Sequence, residues 1–109
     1  MTSAGRPEPK RSLDNFVDDL KRNGYTIKLD ASLPGKSGVV HRFDLLAERA
    51  EGEKKTVVCM RERGKNPVEE MIGLFIMAFD VGAKPCYITG GSVETKIAEA
   101  YGITFLAEE

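Results

Sequence analysis

An α/β (α+β) domain, with a mixed sheet flanked by helices in the order α-β-β-β-α-β-α-β, is the fold class this sequence predicts. Three observations carry it. Three strand-like runs follow one another with only loop-type residues between them, which describes a meander. The later strand-like runs are separated by helical runs, which are crossover connections. The apolar period also switches between 3.6 and 2 at positions marked by Gly, Pro and Asn.

The elements follow in order. Residues 1–11, MTSAGRPEPKR, are almost free of apolar side chains and read as a loose tail, leaving residues 12–109 as a single domain. Ser12 can cap a helix whose apolar positions Leu13, Phe16, Val17 and Leu20 share one face. Asn23 and Gly24 end that helix, and Tyr25, Ile27 and Leu29 alternate as a strand does. Residues 30–38, DASLPGKSG, are a loop by composition, and residues 39–47 a strand with one polar intrusion per face. Residues 48–55 form a charged hairpin turn, and residues 56–61 the returning strand.

After the loop ERGKN, the next helix has a marked start, with Asn66 as N-cap, Pro67 in the first turn and Glu69 completing a capping box. Its sequence MIGLFIMAFDV is apolar on nearly every side, so the 68–81 helix is expected either inside the core or at a subunit interface. Residues 84–89 read as a short buried strand, and Gly90 and Gly91 as a tight turn. Ser92 caps a helix carrying Val93, Ile97, Ala100 and Tyr101, which Gly102 stops before a last strand over residues 103–106.

At 109 residues there is room for one domain with little core to spare, so apolar residues are read first as core. No apolar run approaches the length that spans a bilayer, and the N-terminus lacks the apolar centre of a signal peptide, so a cytoplasmic location is expected. Cys59 and Cys86 are too few for a disulfide framework and lack metal-ligand spacing, which leaves buried free thiols. The net charge of −1 does not by itself point to nucleic acid. Its distribution is uneven: residues 1–65 carry 14 Lys and Arg against 10 Asp and Glu, and residues 66–109 carry 2 against 7. Such asymmetry permits a basic face on a nearly neutral protein.

Two phosphate-loop motifs weaken on inspection. Gly35, Lys36 and Ser37 resemble the end of a P-loop, but Asp30 stands where that loop needs its first glycine, and a β-rich run follows in place of a helix. Residues 89–92, TGGS, join a strand to a helix N-terminus, which an ordinary turn explains without an anion. The informative segment is GKSGVVHRFDLLA, residues 35–47. An acid at Asp44 inside an apolar strand needs a partner, either a metal or a cation. Strand parity puts Asp44 with Arg42 and Leu46, and His41 with Phe43 and Leu45 on the opposite face.

The segment and its surroundings resemble the Mrr-type branch of the PD-(D/E)XK, restriction-endonuclease-like nucleases. They also resemble small archaeal-type relatives bearing the pattern G-x-S-G-x-x-H-x-F-D, which here spans Gly35 to Asp44. The likeness runs from Leu13, Asp14, Phe16 and Val17, through Gly24 and Tyr25, to the strand VVCMR at residues 57–61. It continues over Asn66 and Pro67, Ala83, the run YITGGS at residues 87–92, Ala98, and Gly102 with Ile103. In that family, acids on the second and third strands bind Mg²⁺, which polarises the scissile phosphate and activates water. A lysine beside them stabilises the developing charge. The resemblance implies Asp44 as the metal-binding aspartate, Asp14 as a further ligand from the first helix, Arg61 in the place of the lysine, and His41 as an assisting group.

The chain departs from this pattern at Cys59, Met60 and Arg61, where the family has E-x-K. A thiol is a poor ligand for Mg²⁺ or Mn²⁺, and arginine keeps lysine's charge without its geometry. Metal binding is therefore expected to be weak. The expected function is nucleic-acid binding, to double-stranded or branched DNA, with cleavage impaired, and with Lys36, Ser37, Arg42, Arg61, Arg63 and Lys65 as phosphate contacts. An active Mg²⁺- or Mn²⁺-dependent endonuclease is the alternative. A further one is a non-catalytic partner subunit, pairing with itself or with a nuclease through the 68–81 helix.

Overall fold

A computed structural model of the chain describes residues 11–64, 66–90 and 96–108. β1 (Arg11–Ser12) leads into α1 (Leu13–Arg22), and β2 (Thr26–Pro34), β3 (Val40–Arg49) and β4 (Lys55–Arg61) follow. Then come α2 (Pro67–Val81), β5 (Lys84–Thr89), α3 (Lys96–Tyr101) and β6 (Thr104–Ala107). The six strands form one sheet in the order β1-β6-β5-β4-β3-β2. β2, β3 and β4 are an antiparallel meander; β4, β5, β6 and β1 run parallel. The fold is thus a mixed α+β sheet with three helices, as the period changes in the sequence predict.

Each helix is positioned by its apolar face. Ser12 Oγ accepts the Asn15 N–H at the start of α1, and Phe16 and Leu20 turn inward one turn apart. They pack on one side of the sheet with Leu45, Ala47, Val57, Cys59, Cys86 and Leu106. On the other side Met71, Leu74 and Ala78 of α2, with Ala98 beside α3's centre, cover Phe43, Leu46, Val58 and Tyr87. Asn66 caps α2 by accepting the Glu69 N–H at 3.2 Å, and Pro67 occupies the first turn, where its missing donor costs nothing.

Two expectations need correction and one is narrowed. Arg11 belongs to the sheet and not the tail: β1 pairs with Leu106 and Ala107 of β6. Residues 30–34 continue β2, because β3 lies alongside and supplies partners as far as Pro34 with Val40; pairing outweighs a loop-like composition. Of the two places expected for α2, the structure excludes enclosure in the core, because Ile72, Ile76 and Phe79 lie on its solvent face. The expected cap Ser92, its neighbour Val93, Lys65 and the tail over residues 1–10 lie outside the described residues.

Burial on both faces sets the stability expected of single substitutions. Leu74→Ala, at a 1% exposed position, should cost about 2–5 kcal/mol by leaving a cavity under α2. Leu29→Ala, at a 72% exposed position, should cost under about 0.5 kcal/mol. Urea midpoints of the two variants check the difference.

Candidate functional site at the ends of β3 and β4

The site begins with a break in alternation. β2 and β3 keep a constant register, with Leu29 opposite Leu45 and Ala31 opposite Phe43, yet Asp30 and Asp44 between them form no ladder pair. Asp30 adopts φ 53, the left-handed region. Phe43 packs on the α2 side, Leu45 on the α1 side and Leu46 on the α2 side again. Residue 44 therefore drops out of the count, and the parity that would put Phe43 and Leu45 on one face is overturned. A local distortion of this kind re-aims one side chain without disturbing the rest of the strand.

The side chain it re-aims is Asp44. The β3–β4 ladder stops at Leu45 opposite Cys59, short of Arg61. Asp44 Oδ2 accepts the Arg61 backbone N–H at 2.7 Å, and Oδ1 accepts from the Arg63 guanidinium at 2.6 Å. The carboxylate is only 12% exposed. Burial opposes its charge, but the Arg63 and Arg61 hydrogen bonds and the nearby guanidinium charges together outweigh burial and hold its pKa below the ordinary value.

Arg61 pairs elsewhere. Its Nε lies 2.9 and 3.1 Å from the two oxygens of Glu108, and its NH2 donates to Glu108 Oε2 at 2.8 Å. This is a side-on, two-pronged contact, the form in which guanidinium meets a carboxylate or a phosphate most strongly. Glu108, just beyond β6, is held below its ordinary pKa chiefly by that hydrogen bond. It also lines a small recess of about 110 Å³ with Ser12 and Asp14, so Asp14 lies in the same neighbourhood as Arg61's partner.

A third acid closes the other side. Glu70, in the first turn of α2, accepts the Arg63 N–H at 3.0 Å, the Gly64 N–H at 2.6 Å and the Tyr87 hydroxyl at 2.9 Å. Burial works against its charge and these donors more than offset it, so its pKa is lowered. Burial, followed by the bond to Glu70, pushes the Tyr87 hydroxyl up. Between these groups opens a recess of about 390 Å³ lined by Met60, Arg61, Arg63, Gly73 and Met77 among others. Glu62, one residue past β4, accepts from Thr89 Oγ1 at 2.5 Å.

The G-x-S-G-x-x-H residues gather around a different acid, Asp80. Ser37 donates from its backbone N at 3.0 Å and from its hydroxyl at 2.6 Å, and His41 Nε2 lies 2.8 Å away. Facing an ionised carboxylate, that nitrogen carries the hydrogen. A Cβ on Gly35 would fall inside the Asp80 carboxylate, and Gly38 takes φ 89. The motif clasps the β2–β3 hairpin to the end of α2. Hydrogen bonds from Ser37, then His41, lower the Asp80 pKa.

The structure thus brings Asp44, Arg61 and Arg63 together and places His41 and Ser37 at the Asp80 clasp. Lys36 lies over the Phe79 ring at 5.5 Å, and Arg42 pairs with Asp30 at 3.0 Å on the exposed hairpin. Cys59 is buried on the α1 side, where contact with Cys86, then burial, raises its pKa. The donor set fits a hard cation poorly. Asp44 commits both oxygens to nitrogen donors, and the third-strand position offers this thiol. Among the described residues no three His, Cys, Asp or Glu side chains come together as a metal would require.

Sequence reasoning missed Glu70, Asp80 and Glu108. Asp80 had a signal, as the lone charge in the run MIGLFIMAFDV; Glu108 had none. Comparison of the chain with known protein families, curated proteins and solved structures gives no match.

Two measurements test this arrangement. Gly35→Ala should lower stability by about 1–3 kcal/mol, because the Asp80 carboxylate must move away, and a thermal melt reads the loss. Asp80 has a lowered folded-state pKa, so its contribution is complete above the ordinary carboxylate range and fades as pH falls through the folded value. Asp80→Asn should therefore be less stable than wild type near neutral pH, and the two should converge as pH falls through the lowered Asp80 value. Urea midpoints across that range would show a constant gap if the clasp contributes nothing.

Proposed function

We propose that this chain is a nucleic-acid-binding protein of the restriction-endonuclease-like group, acting in the cytoplasm on double-stranded or branched DNA, with cleavage impaired. Support comes first from layout: a helix, a three-strand meander, a crossover helix and a parallel strand, with an acid on the second meander strand meeting arginines at the end of the third. This is the layout that the resemblance over Gly35 to Asp44 implies for Asp44 and Arg61.

The observation that carries the reading is the side-on contact of Glu108 with Arg61. A backbone phosphate also presents two oxygens that a guanidinium can meet side-on, and it can take the carboxylate's place. Arg63, 56% exposed beside it, adds a second positive charge to the same strand end. A phosphate bound there replaces one anion with another, so the guanidinium stays paired throughout. Impaired cleavage follows from the ligands: Asp44 is occupied by Arg63 and the Arg61 N–H, and no second hard oxygen stands at position 59.

Arg61→Ala should weaken binding to duplex and four-way-junction DNA and reduce the salt slope by roughly one unit, the share of one phosphate contact. Glu108→Gln should strengthen binding several-fold by removing the competing charge. Fluorescence anisotropy titrations over a series of salt concentrations measure both, and an unchanged slope in Arg61→Ala would count against the assignment. A plasmid-nicking assay with Mn²⁺ distinguishes the active alternative: metal-dependent nicking lost in Asp44→Ala would put that reading first.

A further inference from the structure

The recess beside Arg61 and Arg63 is apolar where it is deep and cationic where it opens. Leu74 of α2 and Tyr87 of β5, each 1% exposed, lie at its floor, and half-buried Met60 of β4 and Met77 of α2 form its walls. Arg61 and Arg63 are the exposed members of the lining. Gly73, in the middle of α2, completes it, and a glycine there needs a reason. Glycine is the poorest helix former after proline. A Cβ at residue 73 would meet nothing within 4 Å, so packing within the fold does not call for the missing side chain. What the glycine does is keep the recess open.

An apolar slot of about 390 Å³ with two guanidinium groups at its mouth fits a flat apolar ring joined to an anion. The two thioethers in its walls suit a ring, because sulfur makes favourable contacts with aromatic systems. We propose that the slot receives one unpaired base of a bound DNA strand, with the adjacent phosphate on Arg61; this rests on Arg61 being a phosphate contact. A paired base is held inside its duplex and cannot enter. The slot therefore favours strands in which a base is already free, as at a bulge or a branch point. Tyr87 donates its hydroxyl to Glu70, which also accepts the Arg63 and Gly64 N–H groups. With those polar groups engaged with one another, selection acts on unpairing and not on the identity of the base.

Anisotropy titrations of the whole chain compare three end-labelled duplexes of the same flanking sequence: one fully paired, one with an extra unpaired 2-aminopurine, and one with an extra abasic residue. The 2-aminopurine duplex should bind roughly tenfold more tightly than the paired one, and the emission of its base should rise as the base leaves the stack. The abasic duplex, bent in the same way but lacking a base, should bind like the paired one. Gly73→Leu should fill the slot and abolish both the preference and the rise in emission. Its thermal midpoint should not fall below that of wild type, because leucine favours a helix more than glycine does. Equal binding of the abasic and 2-aminopurine duplexes would overturn the proposal, and so would a preference that survives in Gly73→Leu. A paired duplex bound with the Arg61-dependent salt slope, without preference for the unpaired base, overturns this proposal alone. Absence of binding to all three duplexes overturns the phosphate contact at Arg61 as well.

Discussion

Asp44 accepts the Arg61 N–H at a point where β3 no longer pairs with β4, and the layout of this end of the sheet follows from that substitution of a side chain for a strand carbonyl. The switch of faces between Phe43 and Leu45 frees the carboxylate to reach across. Its second oxygen fixes Arg63, whose backbone N–H, with that of Gly64, then meets Glu70. Glu70 in turn anchors the first turn of α2 and receives the Tyr87 hydroxyl from β5. One half-buried acid thereby links β3, β4, α2 and β5. An uncompensated carboxylate at this position would be costly, so the arginines are structural before they are anything else.

The uneven charge distribution takes on a different meaning in three dimensions. The basic excess of residues 1–65 and the acidic excess of residues 66–109 meet across the domain. Arg61 pairs with Glu108, Arg63 and Gly64 donate backbone hydrogens to Glu70, and His41 and Ser37 converge on Asp80. One charged pair, Arg61 with Glu108, thus joins the two halves of the chain, while Arg22, Arg42 and Arg63 pair with acids of residues 1–65. A ligand phosphate at Arg61 must compete with a resident carboxylate, which favours multidentate partners over single anions.

Period and punctuation made the helices and the order of elements legible: Phe16 with Leu20 fall where a 3.6 repeat puts them, whereas a run as apolar as α2 does not mark Met71, Leu74 and Ala78 as its inward face. Asp44 was legible as an acid needing a partner, and Arg61 as close to it. Its true partners were not, because parity assumes unbroken alternation and Asp30 and Asp44 step out of it together. The role of the G-x-S-G-x-x-H pattern was hidden for another reason. Its residues read as phosphate contacts until Asp80, 43 positions after Ser37, is brought against them by the fold. Residues 30–34 looked like a loop because strand formation there depends on a neighbour and not on local preference.

The outer margin of β2 has a consequence of its own. A nine-residue strand at the end of a sheet exposes a row of peptide groups to which another strand could add. Here the row is interrupted midway by the left-handed turn at Asp30, ends in Pro34, which has no hydrogen to donate, and carries Lys28 near its start. The β2 border of the sheet is thus a poor template for growth, which protects a small domain of high strand content from ribbon-like aggregation on that side.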